Sequence, residues 1–183
     1  MGLVCFFLLG CAGPDRKETG RSVEVDTREG TWMSVDVAPS GETLVFDLLG
    51  DLYSLPGDGG EATRLTTSGM AGLDSIAAGS PFDSQPRFSP SGDRIAFISD
   101  RSGSDNLWVM QADGTRPRQL SHERGAVLNS PSWAPDGEHV AVRRSTSLRT
   151  GELWVYSAQD TARGGRPLTD SDTLIDVQGP TYS

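Results

Sequence analysis

The chain is poor in what metal and thiol chemistry needs. Its 183 residues hold two histidines and two cysteines, which leaves almost no material for a Cys/His metal cluster and argues against a self-contained metalloenzyme. Positive charge is also scarce. Against 25 Asp and Glu stand 16 Lys and Arg, a net charge of −9. With no basic cluster in view, this speaks against a nucleic-acid partner. No apolar run approaches the ~18 residues of a membrane span. No long helical period occurs, and no G-x-S-x-G is present. The chain is rich in turns instead, with 22 glycines and 11 prolines. That share stays below the ~25–30% of low-complexity disorder. At 36% hydrophobic residues the chain can still build a core.

Residues 1–11 read as an address. Leu3 to Leu9 are seven consecutive apolar residues, followed by Gly10-Cys11 and then by the polar stretch Ala12-Gly13-Pro14-Asp15-Arg16-Lys17. Residues 1–10 resemble a bacterial lipoprotein signal, in which cleavage before Cys11 frees its thiol for acylation. One feature departs from that pattern, since no Lys or Arg precedes the apolar run. An ordinary secretory signal or a misplaced start are the alternatives. Cys5 would leave with the signal, so the mature chain would hold no disulfide. Residues 11–28 form a polar tether with one candidate first strand, Ser22-Val23-Glu24-Val25.

The remainder is a repeat. Val37-Ala38-Pro39-Ser40-Gly41 recurs as Phe88-Ser89-Pro90-Ser91-Gly92 and as Trp133-Ala134-Pro135-Asp136-Gly137. A second marker follows each (Leu52-Tyr53, Leu107-Trp108, Leu153-Trp154), and then a third (Leu65-Thr66, Leu120-Ser121, Leu168-Thr169). Within a unit, Pro-Ser-Gly predicts a turn. Arg94-Ile95-Ala96-Phe97-Ile98 predicts a strand with Ile95 and Phe97 on one face. Leu107-Trp108-Val109-Met110 predicts a strand buried on both faces, and Arg118 to Ser121 an outer strand. Four strands at a period of about 40–50 residues are the signature of a β-propeller blade. Residues 68–84, the longest insertion, read as a surface loop.

The pattern Phe-Ser-Pro-x-Gly…Ile-Ala-Phe…Asp-Arg…Leu-Trp-Val resembles the TolB-type, WD-repeat-like propeller unit, over residues 31–183. The implied fold is all-β: a partial, open propeller of about three four-stranded blades (30–70, 82–124, 127–172) with the start of a fourth at 177–183. That fourth start rests on Pro180, spaced like Pro86 and Pro131. Three blades cannot close a ring, so the sequence reads as the N-terminal part of a longer protein. Such units occur in TolB, before the catalytic domain of prolyl-oligopeptidase-like peptidases, and before periplasmic amidohydrolases. Glu29 to Val37, Phe46 to Tyr53 and Phe82 to Phe88 look most like the amidohydrolase group.

The resemblance therefore implies a non-catalytic module of an exported, lipid-anchored protein in the bacterial periplasm. Its partners would be the rest of its own propeller, a C-terminal hydrolase domain and envelope proteins. No cofactor belongs to these residues, and any metal would sit in that further domain. A Tol-type interaction module and the propeller of a serine peptidase are the rival readings.

Other motifs carry less. Gly57-Asp58-Gly59-Gly60-Glu61-Ala62 matches G-x-G-x-x-A, but Thr63-Arg64-Leu65-Thr66 follows where a dinucleotide site needs a helix, so a hairpin turn is expected. Asp100 to Asn106 has alternating oxygen ligands but lacks the spacing of a calcium loop. Asp47, Asp51 and Asp105 are expected to tie down turns. His122-Glu123 has no second histidine to make a zinc pair, and His139 reads as a strand-surface residue. All four tryptophans, Trp32, Trp108, Trp133 and Trp154, read as core. Arg143, Arg144 and Arg149 fall in a variable connection, as a solvated loop or an anion contact. No catalytic, metal or cofactor-binding residue is assigned, and Cys11 is the one modification site.

Overall fold

The computed structural model describes residues 32–66, 81–147, 150–160 and 164–169. Three four-stranded antiparallel sheets account for them, each a meander in chain order. The first blade is β1 (Val35–Val37), β2 (Thr43–Leu48), β3 (Asp51–Pro56) and β4 (Thr63–Arg64). The second is β5 (Asp83–Phe88), β6 (Arg94–Ser99), β7 (Asn106–Gln111) and β8 (Arg118–Gln119). The third is β9 (Val127–Trp133), β10 (His139–Ser147), β11 (Thr150–Ser157) and β12 (Arg166–Pro167). The expected all-β, unclosed propeller architecture is what the described residues form. The tether, Cys11 and the fourth-blade start at 177–183 lie outside them, as does most of the 68–84 insertion.

The repeat markers have physical causes. Each Pro-x-Gly motif closes the same turn: the N–H groups of Gly41, Gly92 and Gly137 donate to the carbonyls of Ala38, Ser89 and Ala134 at 2.8, 2.8 and 2.9 Å. All three glycines have positive φ, between 66° and 76°, where a Cβ would be strained. The second and third markers bond to each other. The hydroxyls of Thr66, Ser121 and Thr169 accept the N–H groups of Leu52, Leu107 and Leu153 at 2.9, 2.8 and 3.0 Å. The N–H groups of Leu65, Leu120 and Leu168 donate to the carbonyls of the same three leucines. A Leu-Thr/Ser pair thus ends each outer strand, which is why strands of two residues suffice there.

Two apolar layers join the blades. Ala38, Val45 and Leu52 of the first blade pack against Phe88, Ile95, Phe97 and Met110 of the second. Ala96, Ile98, Leu107, Val109 and Leu120 form the second blade's other face, against Leu128, Trp133, Val140, Val142 and Tyr156 of the third. Alternation along β6 sends Ile95 and Phe97 one way and Ala96 and Ile98 the other. Its near-continuous apolar run is therefore that of a strand with both faces covered.

Polar ties cross the second joint too. The Arg94 guanidinium donates to Gly137 O at 2.6 Å and lies 4.9 Å from the Trp133 ring centroid. Arg118 donates to Ala158 O. Glu123 accepts the Tyr156 hydroxyl at 2.9 Å and pairs with Arg144 at 3.0 Å. Burial, then the Glu123 charge, pushes the Tyr156 hydroxyl far above its ordinary range.

Candidate binding cleft on the inner strands

The inner strands β1, β5 and β9 stand side by side, one from each blade, and each leaves one edge unpaired by its own sheet. A cleft of about 500 Å³ opens across their C-terminal ends. Asp36, Arg87 and Ser132 line it from equivalent positions of the three repeats, three residues before each turn proline. Phe88, Trp133, Pro39 and Pro90 supply apolar wall, and Ser130-Pro131 the far side.

Both β5 and β9 bulge on their way to the cleft. Pairing of β5 with β6 slips between Ser84 and Arg87, and β9 breaks register with β10 between Ala141 and Arg143. The residues preceding Pro86 and Pro131, Gln85 and Ser130, have φ of 56° and 54°. Proline has no N–H to give a ladder and is placed on edge strands and at bulges. The N–H groups turned out at these bulges are taken up by the preceding blade or strand. Asp47 Oδ2 accepts Gln85 N–H at 2.7 Å, while its Oδ1 accepts Ser34 N–H at 2.7 Å. Gln85 Oε1 in turn accepts Ser130 N–H at 2.6 Å. Two more bonds join neighbouring inner strands: Phe88 N–H to Asp36 Oδ2 at 2.7 Å and Trp133 Nε1–H to Arg87 O at 3.0 Å. The cleft wall is thus held by side chain to backbone bonds between blades, a preorganised surface with little left to order on binding.

The hydroxyl-bearing residues of the cleft are Ser89, Ser130 and Ser132, and neither histidine lines it. His122 is exposed on the connection between β8 and β9. His139 opens β10 with Nδ1 2.8 Å from Asp136 Oδ2. Among the described residues no three His, Cys, Asp or Glu side chains are grouped to hold a metal ion. Arg87 supplies the cation of the cleft, with one guanidinium N–H on Pro86 O, and Asp36 an anion already holding Phe88 N–H.

Several sequence expectations need correction. Trp32 is not core: it precedes β1 at φ 61° and is fully exposed. Trp133 is buried, and Trp108 and Trp154 pack on the two blade joints as repeat equivalence implied. Arg143 and Arg144 are not in a loop, because β10 and β11 extend past them. Arg144 lies 4.6 Å from the Trp154 ring centroid and pairs with Glu123 and Glu152. Arg149 lies outside the described residues. Asp47 ties one blade to the next rather than closing a turn. Asp51 forms an ion pair with Arg64 at 3.1 Å across β3 and β4. Asp105 has its carboxyl pushed up by burial and by the Asp100 charge. Gly57 to Ala62 is the β3–β4 hairpin connection, as expected, with Gly59 and Gly60 at φ 89° and 124°. Gln85 and Ser130 were not singled out from sequence, although Pro86 and Pro131, 45 residues apart in the same slot, marked both bulges.

No protein-family model matches the sequence. Over 100 residues the chain is 38% identical to an uncharacterized peptidase, YuxL, of Bacillus subtilis, covering 53% of this chain and 13% of that protein. Over 77 residues it is 42% identical to the Tol-Pal system protein TolB of Anaeromyxobacter, covering 41% of this chain and 16% of that protein. The solved structure of a TolB-like protein from Agrobacterium tumefaciens superposes with a TM-score of 0.57 at 21% identity, over 73% of this chain and 47% of the other. The matched stretches span less than a fifth of either curated relative. The fold is that of a TolB-like propeller.

Proposed function

We propose that this chain is a non-catalytic propeller module of an exported, lipid-anchored envelope protein, and that it binds polypeptide across the inner-strand cleft. One observation carries the reading. The cleft combines an apolar wall with one cation, Arg87, and one anion, Asp36, on a scaffold cross-braced between blades, and neither histidine lines it. A fixed apolar wall with one cation and one anion beside it recognises a polypeptide through its side chains, by pocket fit and charge complementarity.

A hydrolase is the host we favour. The repeat dialect resembles that of amidohydrolases, and a curated relative is named a peptidase. In either host the reacting centre, with any metal, belongs to another domain, and this chain would select what reaches it. The second reading is a Tol-type interaction module, which the 42% identity to a TolB supports.

Purified chain is expected to turn over no chromogenic amide, ester or peptide, with or without added Zn²⁺. It should bind fluorescein-labelled β-casein, an unfolded polypeptide, by fluorescence anisotropy. Arg87→Ala should weaken that binding about tenfold, the loss of ~1.4 kcal/mol typical of an interface arginine. Turnover that vanishes in Ser130→Ala or Ser132→Ala would overturn the non-catalytic reading, and casein binding indifferent to Arg87 would remove the cleft from it. Lipid anchoring predicts that cells fed labelled palmitate label the wild type and not Cys11→Ser. Equal labelling of both sinks it.

A further inference from the structure

At the opposite ends of β1 and β5 lies a second cleft, of about 390 Å³, bounded by Trp32, the Leu48-Leu49-Gly50 turn and Phe82. We propose that it is a docking site for a polypeptide segment carrying an aliphatic or aromatic anchor side chain beside a basic residue. This site is separate from the inner-strand cleft and does not depend on what that cleft binds.

Strain and exposure coincide here. β2 and β3 are joined by a two-residue loop, Leu49-Gly50, with both φ positive at 54° and 85°. Both angles positive is the geometry of a type I′ hairpin turn, whose first position is filled by Asn, Asp or Gly. A leucine there has its Cβ crowded against backbone, and burial offers no compensation because Leu49 is 69% exposed. Trp32, also at positive φ, and Phe82 add two more large exposed apolar side chains on the same cleft. Gly50 is required by this arrangement, since a Cβ on it would meet the Phe82 ring at 2.9 Å. Gln85 shares the positive φ, but its bulge recurs at Ser130 and belongs to the fold. The Leu49 conformation recurs at no equivalent position among the positive-φ residues. Strain without a local return collects at sites that engage a ligand.

The polar groups select the occupant. Asp47, which lines the cleft, already accepts Ser34 and Gln85 N–H groups on its two oxygens and is nearly buried. Its charge is met from within the protein, so the cleft interior suits an apolar side chain. The Phe82 side is different. Asp100 Oδ1 accepts Phe82 N–H at 2.6 Å. A carboxylate bonded to the backbone of Phe82, at the rim of a cleft walled by Trp32, Leu48, Leu49 and Phe82 on a chain of net charge −9, favours a cation next to the anchor and repels an acidic neighbour.

The probe is a fluorescein-labelled octapeptide, Gly-Ser-Leu-Phe-Arg-Lys-Ser-Gly, titrated with the full chain by anisotropy. Two control peptides replace Leu-Phe by Ala-Ala or Arg-Lys by Glu-Glu. The first peptide should bind, and each control should bind at least about tenfold more weakly. Leu49→Asn should raise the thermal unfolding midpoint, because asparagine tolerates the left-handed region, while weakening the peptide about tenfold. Phe82→Ala should weaken it likewise, which keeps the test open if Leu49→Asn does not fold. Asp100→Asn should narrow the gap between the basic and acidic peptides. The proposal is overturned by no binding to wild type, or by a stabilised Leu49→Asn that binds as before. Self-association of the wild type that Leu49→Asn abolishes would assign the cleft to a second copy and also overturn it.

Discussion

Replacing Phe97 with alanine is expected to lower the free energy of unfolding by about 3–5 kcal/mol, the usual range for deleting a buried phenylalanine. Phe97 has no exposed surface and sits in the middle of β6. It belongs to the layer between the first two blades, with Val45, Leu52, Ile95 and Met110 as fellow members. Two sheets meet around it, and neither strand pairing can shift to fill the void without breaking its ladder, so little of the cavity can collapse. Domains of this kind have only ~5–15 kcal/mol in total. The variant should thus lie near its unfolding threshold at room temperature. A urea titration read by tryptophan fluorescence checks this, with Phe82→Ala as comparator because Phe82 is exposed. A loss under about 1.5 kcal/mol at unchanged denaturant slope would mean that the blade joint repacks, contrary to the account given of it.

The second large effect is electrostatic. Asp83 opens β5 fully buried, and one guanidinium nitrogen of Arg101 reaches both its carboxylate oxygens at 2.7 Å. Arg101 is held in turn by Nε–H donation to Ser99 Oγ at 2.9 Å, and it lies within 5.2 Å of the Phe97 and Trp108 ring centroids. Arg101→Met keeps much of the side-chain volume but leaves a carboxylate buried without its partner. That step should cost about 3–5 kcal/mol. The double variant Asp83→Leu/Arg101→Met should recover most of the loss, because two apolar groups of similar size carry no desolvation penalty. Chemical denaturation of the wild type, the single and the double variant decides it. A single variant within 1 kcal/mol of wild type would show that water reaches Asp83. Phe97 and Arg101 are in contact, so their two losses should not add.

How far the sequence reached depended on the range of each interaction. Pro39-Ser40-Gly41 and its two copies announce their turns because proline sets φ, serine bonds the nearby backbone and glycine takes positive φ, all within five residues. The alternation Ile95-Ala96-Phe97-Ile98 announces a strand because side chains switch faces at every step. The Leu-Thr/Ser markers could be counted as repeats, yet their purpose shows only once Thr66, Ser121 and Thr169 are seen on the N–H groups of Leu52, Leu107 and Leu153. Trp32 was misread because tryptophan's area argues for burial wherever it stands, and a left-handed residue ahead of the first strand has no layer to enter. Arg143 and Arg144 were misread although their repeat equivalents, Ile98 and Ser99, lie within β6, because two successive arginines break the apolar alternation by which a strand is recognised.

The clefts themselves were not legible. The bond from Asp47 to Gln85 spans 38 residues, that from Gln85 to Ser130 spans 45, and that from Asp36 to Phe88 spans 52. No local pattern encodes such pairs, since they exist only when one blade lies against the next. Sequence by itself determined the turns, the strand alternation and the blade repeat, because each arises from contacts within a few residues. Tertiary structure alone decided which polar groups are consumed in bracing the blades and which face the solvent at either end of the inner strands. That choice turns on the packing of whole sheets, and only there is a carboxylate such as Asp47 distinguished from one free to meet a partner.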